Sequence, residues 1–349
     1  MKTISLFFAS VMVALMITSC NQQPVTQPAA VKTDISEFIG HWTIDVEGGG
    51  VSWLEVTQQD SYLDGKLLWV GGSVLPVSSV FLAKDHVLMV QRESRTVVRE
   101  KDADNKPLKT NVYTIWLEIV KNGDKIEGIF LNPKNNGLGV DTAKFVGTKL
   151  PAPPAAPDLS QVKYGEPVTL FNGKDLTGWR LIDEKSKSGW SVKDGILANN
   201  PVQVEGQPHI YYGNLRTEQE FEDFNLKLEV NIPAGSNSGV YLKGMYEIQV
   251  VDSYGKALDA HNMGGLYSRV CPTVSAEKPA GQWQTMEMTL CDRHVTVVLN
   301  GVKIIDNQPA YGPTGGAIIS DVFAKGPIYL QGDHGTVNYR NIVLTPIIK

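Results

Sequence analysis

From Phe224 to Asn231 the chain alternates without a break: Phe224, Leu226, Leu228 and Val230 are apolar, and the intervening Asn225, Lys227, Glu229 and Asn231 are polar. Successive strand residues point to opposite faces, so this period suits an antiparallel sheet with one face packed and the other wet. The pattern recurs where Met286, Met288 and Leu290 interleave with Thr285, Glu287, Thr289 and Cys291. Asn300-Gly301 separates Val295 to Leu299 from Val302 to Ile305. It reads as a hairpin turn, as do Asp64-Gly65 and Asn122-Gly123, because the favoured two-residue turn needs positive φ at both positions. No stretch sustains a helical period, and Gly48-Gly49-Gly50 would interrupt one. The chain is predicted to be all-β.

Composition divides it. Lys2, an apolar run from Ile4 to Ile17 and Thr18-Ser19-Cys20 read as a secretory signal over residues 1–19 that ends in a lipobox and leaves Cys20 for acylation. Residues 20–33, rich in Gln, Pro and Ala, read as a flexible tether. The arrangement resembles bacterial outer-membrane lipoproteins of Bacteroidetes type. No Asp stands just after Cys20 and no acidic cluster adjoins it, so the expected location is the cell envelope, lipid-anchored in the outer membrane and facing the periplasm.

About 315 residues remain, more than one small core normally organises. The Pro-rich stretch 151–164 is read as a linker between regions 34–150 and 165–349. A net charge of -5 offers no basic stripe, which argues against a nucleic-acid partner. Cys271 and Cys291 could pair in an exported protein or stand apart, and neither lies in a CxxC motif of the kind that holds zinc.

Region 34–150, with short strands and tight turns, fits a small β-barrel. Its opening Gly40-His41-Trp42 resembles the Gly-x-Trp of lipocalin-like barrels, where the Trp closes one end. His41 and His86 are read as surface or end-packing residues. In region 165–349, Pro327 to Gln331 and Thr336 to Leu344 form a closing pair around Gly332-Asp333-His334-Gly335. Two packed sheets of such strands make a jelly-roll β-sandwich.

An ordered set of motifs runs through that region: Leu170-Phe-Asn-Gly-Lys-Asp-Leu-Thr-Gly-Trp179, Trp190-Ser-Val-Lys-Asp-Gly195, Asn237-Ser-Gly-Val-Tyr-Leu-Lys-Gly244, Tyr246-Glu-Ile-Gln-Val250, Gly264-Gly-Leu-Tyr267, Pro279-Ala-Gly-Gln-Trp-Gln284 and Leu330-Gln-Gly-Asp-His-Gly335 with Tyr339-Arg-Asn-Ile342. Through them residues 165–349 resemble the secreted bacterial DUF1080 family, described as 3-keto-disaccharide or 3-keto-glycoside hydrolases. The resemblance implies a concanavalin A-like jelly roll and an oxidised, 3-keto sugar as substrate. Lys243 stands where many relatives carry Arg.

A conventional glycosidase needs two carboxyls flanking the bond, whereas a 3-keto sugar offers another route. The ketone acidifies the hydrogen on C2, a base removes it, the enolate expels the C1 aglycone, and water adds to the double bond. Glu247 and His334 are predicted to be base and acid in either order, with Lys243, Arg340 or a bound cation beside the enolate oxygen. Period-two spacing puts Tyr241 with Lys243, and Glu247 with Gln249, on one strand face. His261, Tyr267 and Gln331 complete the substrate-binding candidates with Tyr241, Lys243, Gln249 and Arg340. Trp190, Tyr241, Tyr267 and Tyr329 are candidate platforms on which a sugar ring could stack, while Trp179, Trp190 and Trp283 are equally read as core. No cofactor is evident. Asp252, Asp259 and His261 lie close in sequence without a recognised ligand spacing, and a divalent cation is left open. A non-catalytic carbohydrate-binding module tethered to the envelope is the alternative, since one fold supports both. The titratable set Lys243, Glu247, His334 and Arg340 favours the enzyme.

Overall fold

A computed structural model describes residues 34–84 and 86–348, so the signal, Cys20 and the tether fall outside the described residues. The described chain is all-β, with one 3-10 turn at Ile35–Glu37.

The N-terminal region is a nine-stranded antiparallel sheet. Its order is Val74–Pro76, Leu63–Leu68, Val51–Gln58, Gly40–Val46, Val140–Leu150, Lys125–Pro133, Pro107–Asn122, Val87–Lys101 and Ser79–Ala83. The ladder has two ends, at Val74–Pro76 and Ser79–Ala83, so hydrogen bonding among the described residues does not close it into the expected barrel. It curls around a core of its own that includes Trp42, Ile44, Leu88, Leu117 and Phe145. Trp42 is buried there and donates its ring N–H to Phe38 O at 2.8 Å.

Two turns fall elsewhere than their Gly signals indicate. Asp64 and Gly65 lie inside a strand, where Gly65 faces Val56 and a Cβ would crowd the Glu55 carbonyl at 2.6 Å. The glycine answers a close approach of backbone and not a turn. Asn122 pairs with Lys125, so the turn residues are Gly123 and Asp124.

The C-terminal region is the expected sandwich. One sheet runs Trp190–Lys193, Ile196–Asn199, Val337–Ile348, Phe224–Asn231, Trp283–Cys291, His294–Leu299 and Val302–Pro309. The facing sheet runs Trp179–Leu181, Leu215–Phe221, Gly326–Leu330, Asn237–Leu242 and Tyr246–Val251. The alternating residues behave as their period demands: Phe224, Leu226, Leu228 and Val230 meet Val240, Leu242, Ile248 and Val250 in one core. Trp179 and Trp190 join that core, donating to Leu170 O and Gly213 O. No disulfide joins Cys271 and Cys291, the first exposed and the second buried.

Trp53, Leu68 and Leu150 of the N-terminal sheet belong to the sandwich's own core cluster, so the two regions share apolar contacts. The Pro-rich stretch is docked on the sandwich: Arg293 donates to Pro151 O and Asn307 to Pro157 O.

Candidate functional site

Three neighbouring strands of the five-stranded sheet place the site. Tyr241 lies opposite Glu247 on one side and Tyr329 on the other, so the three form a row across the sheet. Gln249 lies one period further along, opposite Gly239. The apolar partners of these residues point into the core, and that alternation pushes the polar row outward. It is not a wetted face: Tyr241 is 1% exposed, and Glu247 and Gln249 are each 3% exposed. The segment Thr314–Gly316 covers it, with Gly315 O and Gly316 O accepting from the Tyr241 and Tyr329 hydroxyls and Thr314 Oγ1 accepting the Glu247 N–H at 2.8 Å.

A cavity of about 320 Å³ opens above this row. Glu247, Gln249, Asn237, Tyr241 and Tyr329 line it from the sheet side, and Tyr211, Asn214, Tyr267, Gln331, Asp333 and His334 from the loops. Burial raises the Glu247 carboxyl to about 8, against the smaller lowering effect of the Tyr241 hydroxyl. Tyr241 has one proton and two neighbours to satisfy, Glu247 Oε2 at 2.8 Å and Gly315 O at 2.7 Å. A carbonyl only accepts. A protonated Glu247 that donates to the tyrosine oxygen, while the tyrosine donates to Gly315, satisfies both. Burial likewise holds Tyr241 and Tyr329 well above the ordinary tyrosine range, so both stay neutral. Gln249 Oε1 and Gln331 Oε1 are buried without a hydrogen-bond partner among the described residues, and both side chains border the cavity. Such orphan acceptors suit the hydroxyls of a sugar.

His334 is exposed on the loop that carries the chain from one sheet to the other. Gly332 and Gly335 flank it because a Cβ at either would overlap Gly213 O or Ser236 Oγ. Asn199 donates to Gly332 O and Gly335 O, Asn214 Oδ1 accepts the Gly332 N–H, and Asp333 Oδ1 accepts the Tyr212 N–H. These hydrogen bonds tie the loop to both of its neighbouring segments. Asp333, the second carboxyl at the cavity, has its other oxygen 3.1 Å from His209 Nε2.

Lys243 and Arg340 are not brought here. Lys243 and Gly244 both take positive φ, 58° and 65°, forming a tight turn that ends the strand's alternation. Lys243 is thereby sent to Val322 O at 2.8 Å, in a separate pocket it shares with Asp223, Asp292 and Arg293. Arg340 lies on the other sheet, bonded to Glu229 Oε2 at 2.6 and 3.0 Å and stacked 4.0 Å over Trp283. Among the described residues that line the cavity there is no Lys or Arg. His261 sits behind Tyr267, edge-on at 4.8 Å.

Asp252 does not converge with Asp259 and His261. It accepts the Gly235 N–H, while Asp259 holds His261 Nδ1 at 2.6 Å. The possible ligand cluster among the described residues is Asp223, Cys291 and Asp292, beside the pocket of Lys243 and away from the tyrosine row. A larger cavity of about 740 Å³ opens where the N-terminal sheet meets the sandwich, lined by His41, Trp53, Glu55, Lys66, Arg269 and Tyr311. Its Glu55 is already paired with Lys66 at 3.2 Å, and Arg269 is spent on Pro313 O and the Trp53 ring.

Fold and site together define a sandwich with a buried, protonated carboxyl in a tyrosine- and amide-lined pocket. The chain belongs to the family of 3-keto-alpha-glucoside-1,2-lyase-like domains, whose profile matches residues 166–345. Over 75 residues it is 29% identical to a 3-keto-disaccharide hydrolase of Bacteroides thetaiotaomicron, a match spanning 21% of this chain and 26% of that protein. A structure classed as a glycosyl hydrolase, from Parabacteroides distasonis, aligns at 27% identity and TM-score 0.42 over 56% of this chain and 92% of its own. A carbohydrate-binding module from Bacillus subtilis aligns at 13% identity and TM-score 0.31, over 47% and 93% of the two chains.

Proposed function

We propose that the protein cleaves 3-keto-glycosides by elimination and hydration. The observation that carries this reading is Glu247: one carboxyl, kept protonated by burial, at a cavity whose other carboxyl is already engaged. A paired-carboxylate glycosidase needs a second carboxyl available on the far side of the bond. Elimination needs only a base at C2 and an acid at the leaving oxygen.

The exposed His334 imidazole takes the C2 proton, and the electrons pass through the enolate to expel the C1 oxygen. Glu247 gives that oxygen its proton. With Lys243 and Arg340 elsewhere, the enolate oxygen is met by neutral donors, the Gln249, Gln331 and Asn237 amides. Water then adds across the double bond. Attachment through lipid on Cys20, in the outer membrane facing the periplasm, belongs to the same proposal.

The test is incubation with a 3-keto-disaccharide and with its unoxidised parent, following free sugar. Only the oxidised sugar should be cleaved, because only a ketone acidifies C2. Equal cleavage of both overturns the mechanism.

A further inference from the structure

The family match begins at residue 166, yet the N-terminal sheet reaches the pocket. Gly71, in the turn after the strand Leu63–Leu68, lines the cavity. Gly72 O lies so close over Gly315 that a Cβ there would overlap it. The N-terminal turn thus packs on the same covering segment whose carbonyl orients Tyr241, and Tyr241 in turn orients Glu247. The turn is itself fastened to the sandwich, with Val74 N–H donating to Ser268 Oγ at 2.9 Å.

Ser73 stands at the end of that turn, 3.1 Å from His261 Nε2 and 3.2 Å from the Tyr267 hydroxyl. The protons in this chain of contacts can be counted. Hydrogen bonds from His261 hold the Asp259 carboxyl below its ordinary range, so it is an acceptor, and the 2.6 Å contact requires a hydrogen on His261 Nδ1. When Nε2 carries no hydrogen it is an acceptor, and it takes the single Ser73 proton. The contact between Ser73 and Tyr267 is left for the tyrosine to fill as donor. With its proton committed to Ser73, Tyr267 turns its lone pairs to the cavity.

We propose that the N-terminal sheet completes the sugar pocket, and that Ser73 is a positioning residue that fixes Tyr267 as an acceptor for a substrate hydroxyl. This rests on reading the cavity as a sugar site. It gives the region outside the family match a role in substrate selection: it forms a wall and sets one hydrogen-bond direction from a residue 194 positions away in sequence.

The full chain and its Ser73→Ala, Ser73→Thr, Tyr267→Phe and Ser73→Ala/Tyr267→Phe variants are titrated calorimetrically with the 3-keto-disaccharide and with its parent, and assayed for turnover. Loss of one fixed hydrogen bond should raise Kd and KM of Ser73→Ala about 3- to 10-fold with kcat within about twofold, and Ser73→Thr should restore them. In the Tyr267→Phe background Ser73→Ala should add little, because the two act as one unit. Wild-type affinity in Ser73→Ala, or additive effects in the double variant, overturns the inference and leaves the proposed reaction standing. A wild type that binds sugar in a Ser73-dependent way without cleaving it overturns the reaction and supports the inference. A wild type that binds neither sugar overturns both.

Discussion

At the scale of single residues, Glu247 is the proposed acid, and its proton can be followed in two ways. Glu247→Gln and His334→Ala should each lower kcat roughly 10²- to 10⁴-fold, about 3 to 5 kcal/mol of barrier, measured as sugar release from the keto-disaccharide. Turnover should fall as pH rises through about 8, where Glu247 loses the proton it donates. Stability follows the same proton. The unfolded chain releases it near the ordinary 4.5 and the folded protein holds it to about 8, so between those values the native state binds more protons. Stability is therefore full below that window and falls through it, by at most about 1.4 kcal/mol per pH unit from this group. Glu247→Gln has no such proton to lose. Thermal unfolding of the two proteins from about pH 5 to about pH 8 should show the variant gaining on wild type, and parallel curves would refute the assignment.

Strands and turns explain which of the expected residues meet. The face shared by Glu247 and Gln249 was legible in the sequence because strand periodicity is local. Lys243 was not, because two positive-φ residues end the alternation one position too soon. Arg340 was misplaced for a different reason: its strand, Val337–Ile348, pairs into the sheet opposite the pocket, and no local pattern says which sheet a strand joins. Gly239 shows what the strand pair demands. It lies opposite Gln249, and a Cβ on it would overlap Glu247 Oε1. Gly239→Ala should displace the Glu247 carboxyl and lower kcat by at least about 10²-fold, at a stability cost of about 1–3 kcal/mol. Turnover and thermal unfolding measured together check this, and normal turnover would mean that Glu247 can shift without consequence.

For the whole molecule, attachment and assembly are separate questions. Among the described residues no helix is long and apolar enough to cross a membrane. If acyl chains on Cys20 hold the protein to the envelope, Cys20→Ser should move it from the membrane pellet to the soluble fraction, since lipid chains anchor by the burial of their methylenes. Retention in the pellet would point to a protein partner instead. The N-terminal sheet and the sandwich, in contrast, are joined by packing: Trp53, Leu68 and Leu150 are buried with the sandwich core, and Trp53 donates its ring N–H to Tyr311 O.

Alternation and turn residues determined the all-β class and the sandwich, because each strand's two faces are set by residues one or two positions apart. The motif set placed residues 165–349 in their family, and the strand face of Glu247 and Gln249 was readable with it. Only tertiary structure brought Tyr329, Asn214 and Asp333 to Glu247, raised its carboxyl by burial, and set Ser73 of a distant turn against Tyr267. These depend on which strands pair and which loops cover them. Such contacts form between segments far apart in the chain, and no window of sequence contains both partners.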